Sequence, residues 1–309
     1  MEKDSLYDLI IIGSGPAGLT AAIYAERAML KTILLEKNAM SGGQVVNTYE
    51  VDNYPALPGI NGFDLSMKIR EHAEKLGATI VSEKVKSLDL TGKLKKVVTK
   101  DNVYESKTII ISTGADWRKL GIEGEEKYSG LGVSYCATCD GAFFKNKTVA
   151  VVGGGDVAVE DAIFLSRLCK KVYLIHRRDK LRAVRVLQEK VFNIDNIELV
   201  WDTVVNKIDG NDSVEKINVT NKKTRENLDL EVDGVFIAIG TVPHSELVKE
   251  VIVTDKNGYI KSDEGCRTNV DGVFVAGDVR EKPLRQIITA AGDGATAVYS
   301  AEQYIIEKY

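Results

Sequence analysis

Leu6-Tyr7-Asp8-Leu9-Ile10-Ile11-Ile12 runs directly into Gly13-Ser14-Gly15-Pro16-Ala17-Gly18, and this junction decides the fold. The first stretch is apolar and rich in branched side chains, the composition of a buried parallel strand. Residues Leu19 to Met29 carry no helix breaker and read as a helix. Lys31-Thr32-Ile33-Leu34-Leu35-Glu36 then returns as a second strand ending in an acid. Alone, a G-x-G-x-x-G is a weak signal. Between a strand and a helix, with Glu36 at the tip of the next strand, it is a dinucleotide fingerprint: the glycines admit a pyrophosphate, the helix N-terminus holds its charge, and the acid binds a ribose hydroxyl. The competing reading is a glycine-rich turn that only packs a helix on a strand, and the strand context weighs against it.

The unit appears twice. Lys147 to Val152 is a second Val-rich strand, Gly153-Gly154-Gly155-Asp156-Val157-Ala158 gives G-x-G-x-x-A, residues 156–169 read as a helix, and Lys171 to His176 returns as a strand. Gly153 lies 140 residues after Gly13, and His176 lies 140 residues after Glu36. Two nucleotide sites on one plan imply two nucleotides, most economically a bound flavin and a diffusing nicotinamide. The copies differ where the ribose is read. The second has His176-Arg177-Arg178 in place of Glu36, with Arg182 expected one helical turn on. An acid repels a 2′-phosphate, whereas guanidinium groups bind it bidentately. The first site therefore suits an adenosine with a free 2′-hydroxyl and the second suits NADPH; a solvated basic patch is the alternative.

Just before the second unit stands Cys136-Ala137-Thr138-Cys139-Asp140. Cysteines three apart in a helical turn sit about 5–6 Å apart, inside disulfide range. At a helix N-terminus one sulfur becomes nucleophilic near neutral pH, and Asp140 is placed to supply or take the proton of dithiol–disulfide exchange. Half a zinc site, a static staple and chance occurrence compete with a redox dithiol. A zinc site needs a second ligand pair, and only the isolated Cys169 and Cys266 remain.

The chain of 309 residues has room for two domains of ordinary size. Hydrophobic residues at 44% and charged residues at 28% are those of a globular protein, so neither disorder nor a membrane span is expected. A net charge of −4 argues against a nucleic-acid surface. Four cysteines are too few for a disulfide scaffold, and Met1-Glu2-Lys3-Asp4 does not open a signal peptide. A cytosolic location is therefore expected, where the Asn146 and Asn218 sequons have no consequence.

Between the units, Ser41-Gly42-Gly43-Gln44 is a glycine-rich loop able to approach a cofactor, and Asp52-Asn53-Tyr54-Pro55 is turn chemistry. A helix is expected from about residue 64 to 76, followed by short strands alternating with turns. Ile109 to Ala115 reads as a buried strand passing through Thr113-Gly114. In the second half, strands near 197–201, 214–219 and 228–232 are expected to repeat that meander, and Val235 to Gly240 to repeat the strand-to-glycine ending. The tail has a strand, Val273 to Asp278, and a helix from about 284 to 307, but no nucleotide loop, so it is expected to complete the first domain.

Gly13-Ser14-Gly15-Pro16-Ala17-Gly18, Gly42-Gly43-Gln44, Cys136-Ala137-Thr138-Cys139-Asp140, His176-Arg177-Arg178, Gly277-Asp278 and Arg285-Gln286 together resemble the low-molecular-weight, bacterial-type thioredoxin reductases nearly end to end. The resemblance implies an α/β fold of two three-layer, Rossmann-like domains, with the NADPH domain, residues 117–246, inserted into an FAD domain of residues 1–116 and 247–309. It implies FAD at Gly13, Gly15, Pro16, Ala17, Gly18, Glu36, Gly42, Gly43, Gln44, Asn53, Thr113, Gly114, Gly277, Asp278, Arg285, Gln286 and Ile287. NADPH is implied at Gly153, Gly155, Asp156, Val157, Ala158, His176, Arg177, Arg178 and Arg182. Cys139 is implied next to the flavin, Cys136 as the sulfur that attacks a thioredoxin disulfide, Asp140 as proton donor, and a homodimer as the assembly. The intact arginines argue against relatives that draw electrons from ferredoxin or flavin. The short lead before the first strand and the ending Ile305-Ile306-Glu307-Lys308-Tyr309 argue against a fused thioredoxin-like domain and an extra redox tail.

The expected activity is NADPH-dependent reduction of thioredoxin through FAD and the dithiol. Reduction of another protein's disulfide, or redox sensing without turnover, is the alternative. The expected mechanism includes a rotation of the inserted domain about paired crossings near 115–118 and 241–247, at which Gly114, Gly240 and Pro243 stand.

Overall fold

The computed structural model describes residues 6–48, 51 and 53–309; Asp52 of the expected turn and Met1-Glu2-Lys3-Asp4 lie outside them. The chain forms two compact units, Met1–Asp116 with Val242–Tyr309, and Trp117–Thr241.

The first unit opens with β1 (Leu6–Ile12), α1 (Pro16–Arg27) and β2 (Thr32–Glu36), followed by α2 (Gly62–Lys75). Short strands β3 (Ile80–Ser82), β4 (Ser87–Asp89) and β5 (Lys95–Val98) lead to the long β6 (Val103–Ile111) and to β7 (Ala115–Trp117). α1 begins three residues before the expected start, because Pro16 fits the first turn with its φ preset and no N–H to waste. α2 starts where the Asn61 side chain accepts from the Asp64 amide at 2.8 Å.

β1 pairs in parallel with β2 along one edge and with β6 along the other, so both its edges are paired. Leu9 and Ile11 pack toward α1, while Ile10 and Ile12 pack into a second cluster with Ile33, Leu35 and Ile109. That alternation divides the unit into layers, each fully buried Leu or Ile contributing about 1.5–3 kcal/mol.

The second unit carries β8 (Val133–Ser134), α3 (Ala137–Asp140), β9 (Thr148–Gly153), α4 (Asp156–Ser166), β10 (Lys171–Ile175) and α5 (Arg185–Phe192). β11 (Ile197–Val200), β12 (Thr203–Gly210), β13 (Val214–Asn221), β14 (Asn227–Glu231) and β15 (Gly234–Ala238) follow. A sheet of order β11-β10-β9-β15-β8 is parallel throughout, with α4 over one face and the antiparallel β12-β13-β14 meander contributing to the core on the other.

Two expectations change here. Residues 197–200 extend the parallel sheet instead of joining the meander, because Ile197 is buried against the α4 core. No helix follows Arg178; residues 177–184 are irregular and α5 starts only at Arg185, so Arg182 is not one helical turn on.

The chain then passes β16 (Thr241–Pro243), which pairs with β7, and returns to the first unit. β17 (Val273–Val275) adds to β6 in parallel, and α6 (Ile287–Lys308) lies against α1. The approach is close: a Cβ on Gly294 would stand 2.2 Å from the Ala17 carbonyl oxygen. α6 starts three residues later than expected because Gln286 and Thr289 form a reciprocal capping box. Among the described residues no helix is long and apolar enough to cross a membrane.

Candidate active site

The centre of the second unit's chemistry is a disulfide between Cys136 and Cys139, with Cα atoms 5.3 Å apart. Cys136 precedes α3 in extended conformation, and its carbonyl accepts from the amides of Cys139 at 3.3 Å and Asp140 at 3.1 Å. That turn brings the sulfurs together. At four residues α3 is too short for much macrodipole, so thiolate stabilisation by a helix N-terminus, expected from the sequence, is weak here.

Other groups stand around the sulfurs. The Ser134 hydroxyl, on β8, donates to Asp140 Oδ2 at 2.6 Å, and the Cys136 amide donates to Ser134 Oγ at 3.1 Å. Thr138 Oγ1 lies 3.4 Å from Cys136 Sγ. Burial raises the Asp140 pKa, opposed by the hydrogen bond from Ser134. A carboxyl held toward its protonated form beside a disulfide suits the delivery of a proton to a departing thiolate.

Tyr135 is braced from the other side. Its ring stacks on Trp117 with centroids 6.2 Å apart, and its hydroxyl donates to Glu125 at 2.8 Å. The same carboxylate accepts from the amides of Leu120 at 2.9 Å and Gly121 at 2.7 Å. Sequence reading missed Ser134, Thr138, Tyr135 and Glu125, since no motif marks a hydroxyl or acid that acts through a fold. Cys169 and Cys266 are buried in separate units, and burial pushes each thiol up to about 11.

In the first unit, the glycine loop is closed from several directions. Gly13 has φ of 101°, and a Cβ on Gly18 would fall 1.8 Å from the Gly13 carbonyl oxygen. Gly15, by contrast, faces open space. The buried Glu36 carboxylate accepts from the Ser14 amide at 2.8 Å and the Ser14 hydroxyl at 2.7 Å with one oxygen, and from the Asn38 amide at 2.9 Å with the other. The acid at the strand tip thus shapes the loop as well as facing its end. Gly42 donates to the Ser14 carbonyl at 2.8 Å, and Gly43 lies against Gly15, so the second glycine loop joins the first. Gln44 follows in the 3-10 turn Gly43–Asn47.

The tail meets the same loop. Gly277 lies against Ala17, and its amide donates to Asp293 at 3.0 Å. Asp278 Oδ1 is buried without a hydrogen-bond partner; burial raises this carboxyl's pKa, opposed by Lys282 and Arg285. Arg285 donates to the Asp278 carbonyl at 3.2 Å, and Asn53 donates to the Gln286 side chain at 2.8 Å across 233 residues. Ile287 opens α6 beside them. Thr113 lies against Gly13 of that loop, and Thr113 and Gly114 are both bonded to the backbone of His244.

The second loop repeats the extended helix start, with Gly155 matching Gly15, but neither the left-handed first glycine nor the contacts. Gly153 packs on Ala158 and Ala238, while a Cβ on Gly154 would strike the His176 ring at 2.2 Å. His176 is buried beneath the loop, its Nε2 lacks a partner, and burial lowers its pKa, leaving the ring neutral. Asp156 accepts from the Val184 amide at 2.8 Å, and the Arg182 amide donates to Gly154 at 2.6 Å. Gly155 faces open space and Val157 is exposed. Arg177, Arg178 and Arg182 are exposed, and among the described residues no carboxylate lies in ion-pair contact with them.

These features fit two dinucleotides. Open space above Gly15 and Gly155 leaves room at each helix start, Asp278 Oδ1 offers a buried acceptor, and three guanidiniums without carboxylate partners suit a phosphate.

Comparison with known proteins agrees. Residues 7–294 match the pyridine nucleotide-disulphide oxidoreductase family. A thioredoxin reductase of Bacillus subtilis is 44% identical over 99% of this chain and 97% of its own length. One from Listeria innocua is 46% identical over 99% of this chain and 96% of its own. The solved thioredoxin reductase of Streptococcus pyogenes superposes with a TM-score of 0.93 at 46% identity, covering 99% of this chain and 100% of that one. With its two glycine loops, its dithiol and these full-length matches, the chain belongs to the pyridine nucleotide-disulphide oxidoreductase family, among its thioredoxin reductases.

Proposed function

We propose that this protein is an NADPH-dependent flavoprotein that reduces the disulfide of thioredoxin. The observation that carries the reading is the Cys136–Cys139 disulfide beside Asp140, in the same compact unit as the arginine-flanked second loop, on a chain matched over its length by thioredoxin reductases.

In this reading the first unit holds FAD. Gly13, Gly15, Pro16, Ala17 and Gly18 receive the pyrophosphate with Gly42, Gly43 and Gln44, and Glu36 takes the ribose with its remaining lone pairs. Asn53, Thr113, Gly114, Gly277, Asp278, Arg285, Gln286 and Ile287 complete that site. In the second unit Gly153, Gly155, Asp156, Val157 and Ala158 receive NADPH, His176 supports the loop from beneath, and Arg177, Arg178 and Arg182 hold the 2′-phosphate. FAD, when bound, supplies the electron pair from NADPH that opens the Cys136–Cys139 disulfide.

The remaining chemistry belongs to the chain. The Cys136 thiolate attacks one sulfur of the thioredoxin disulfide: a mixed disulfide forms, the substrate S–S bond breaks, and the departing thiolate takes the Asp140 proton. Cys139, as thiolate, then attacks Cys136 Sγ. The internal disulfide re-forms, the mixed disulfide breaks, and the second substrate thiolate takes a proton from water, which also reprotonates Asp140. Two electrons and two protons pass to thioredoxin.

The dithiol must be covered while it is reduced and uncovered when it meets a protein disulfide. One pose of the second unit cannot serve both, so the reading includes rotation about the paired crossings β7 and β16, flanked by Gly114 and Gly240 with φ of 73° and 103°. A homodimer, implied by the sequence resemblance, and a cytosolic location, where a Cys-x-x-Cys is more often catalytic than structural, complete it.

The test is NADPH oxidation by the purified holoenzyme with and without thioredoxin. Multiple turnovers only when thioredoxin is present are expected. A single stoichiometric reduction of the dithiol, with no turnover on thioredoxin, would favour a sensor and overturn this reading.

A further inference from the structure

Ser134 lies at the end of β8, two residues before the first redox cysteine, and its hydroxyl is buried at the only polar junction between the dithiol turn and its acid that the described residues show. Three groups meet its single oxygen. Asp140 Oδ2 is 2.6 Å away, the Cys136 amide donates to it at 3.1 Å, and the Cys136 carbonyl oxygen is 3.3 Å away. A hydroxyl has one hydrogen and two lone pairs, so it cannot donate to Asp140 and to Cys136 at once. The Cys136 amide fills one lone pair in every state.

The other contacts depend on the Asp140 proton. With Asp140 ionised, the carboxylate only accepts, and the Ser134 hydrogen must point to it. With Asp140 protonated, the carboxyl donates to Ser134 Oγ, and the Ser134 hydrogen is released toward the Cys136 carbonyl. That carbonyl is the one that accepts the Cys139 and Asp140 amides and closes the dithiol turn. The hydroxyl therefore links the acid's protonation to the backbone that positions both sulfurs.

We propose that Ser134 is a positioning residue of the redox centre, whose hydroxyl holds the Asp140 carboxylate when it is ionised and turns to the Cys136 carbonyl when Asp140 carries its proton. This rests on the reading of Asp140 as the proton donor.

The surroundings leave the hydroxyl in charge of the acid. α3 packs in one core with α4, whose carboxylates are Asp156, Glu160 and Asp161, and burial with Glu160 beside it pushes Asp161 up to about 7. The two causes that move the Asp140 pKa are its burial, which raises it, and the Ser134 hydrogen bond, which lowers it. β8, the Gly141–Phe144 turn and β15 carry no ionisable side chain; the cysteines themselves titrate only once reduced.

The sign follows. Ser134 bonds Asp140 in both protonation states, but the bond to the ionised form is the stronger, so its loss raises the pKa of Asp140. The general acid works only while protonated, and thioredoxin reduction falls as pH rises through that pKa. Removing the Ser134 hydroxyl should move this alkaline limb upward by about one pH unit, the excess of a hydrogen bond to a charged group over one to a neutral group.

The experiment compares the pH dependence of kcat/KM for thioredoxin in wild-type holoenzyme, Ser134→Ala, the isosteric pair Ser134→Thr and Ser134→Val, and Asp140→Asn. NADPH-dependent flavin bleaching in each variant checks that it is folded and loaded. The limb should stay near the wild-type position in Ser134→Thr and shift upward in Ser134→Ala and Ser134→Val. Coincident limbs in Ser134→Thr and Ser134→Val would overturn the proposal, because those side chains differ only in hydroxyl against methyl. Asp140→Asn separates the two readings: if it keeps both the rate and the limb, the assignment of Asp140 fails, whereas if it loses the limb while the Thr and Val variants coincide, only the role of Ser134 fails.

Discussion

The two glycine loops share a backbone plan and solve opposite problems at the strand tip. In the first, Glu36 turns a buried carboxylate back onto Ser14 and Asn38 and keeps the end of the loop acidic. In the second, His176 slides a neutral ring under Gly154, and the charge is handed to Arg177, Arg178 and Arg182 outside. In the proposed reading both loops are pyrophosphate cradles, closed where Gly18, Gly153 and Gly154 leave no room for a Cβ and open above Gly15 and Gly155. On that reading, side-chain chemistry at the strand tip chooses the nucleotide. A fold duplicated once can thus carry two cofactors of different phosphate pattern.

The comparison breaks most severely at the glycines. Gly18→Ala would drive a Cβ to 1.8 Å from the Gly13 carbonyl oxygen, which also accepts from Ser112 Oγ at 3.0 Å, whereas Gly15→Ala meets nothing within 4 Å. Gly18→Ala should cost at least about 3 kcal/mol, the upper end of ordinary overpacking, and lose flavin with the fold. Gly15→Ala should leave stability within about 0.5 kcal/mol but crowd the space over the helix start, lowering flavin retention. Thermal unfolding and the flavin-to-protein absorbance ratio read the two effects separately. Equal stability losses would mean that the two glycines do not divide closure from access.

A smaller effect sharpens the difference between the loops. Arg177→Ala with Arg178→Ala removes two charged hydrogen-bond donors worth about 1.5–3 kcal/mol each, so KM for NADPH should rise at least about a hundredfold while KM for NADH changes little. Flavin content should stay at the wild-type level, since Glu36 is untouched. Steady-state kinetics with both coenzymes checks this, and an unchanged NADPH-to-NADH preference would remove the arginines from the coenzyme site.

Local patterns made most of the architecture legible. Strands buried on both faces read as unbroken apolar runs, the glycine loops sit between strand and helix, and the constant spacing of Gly13 with Gly153 and of Glu36 with His176 exposes the repeat. What escaped depends on distance or on weak local signals. α5 is eight residues long with Val184 as an uncapped start, so nothing announces it. Arg182 stands in an irregular segment whose path is set by the Arg182 amide bond to Gly154. Asn53 meets Gln286 from 233 residues away. Glu36 was legible as an acid at a strand tip, but its grip on Ser14 was not, and neither was Ser134, a lone serine whose meaning comes from the turn that folds Asp140 back onto it.

In the proposed function, electrons drawn through the two nucleotide loops leave the protein only by way of Cys136. Anaerobic addition of NADPH to the Cys136→Ser holoenzyme in the presence of oxidised thioredoxin tests it most directly. The flavin absorbance should bleach as in the wild type while thioredoxin thiols stay at background, because only the outgoing thiolate has been removed. Thioredoxin reduced at the wild-type rate in this variant would contradict the account.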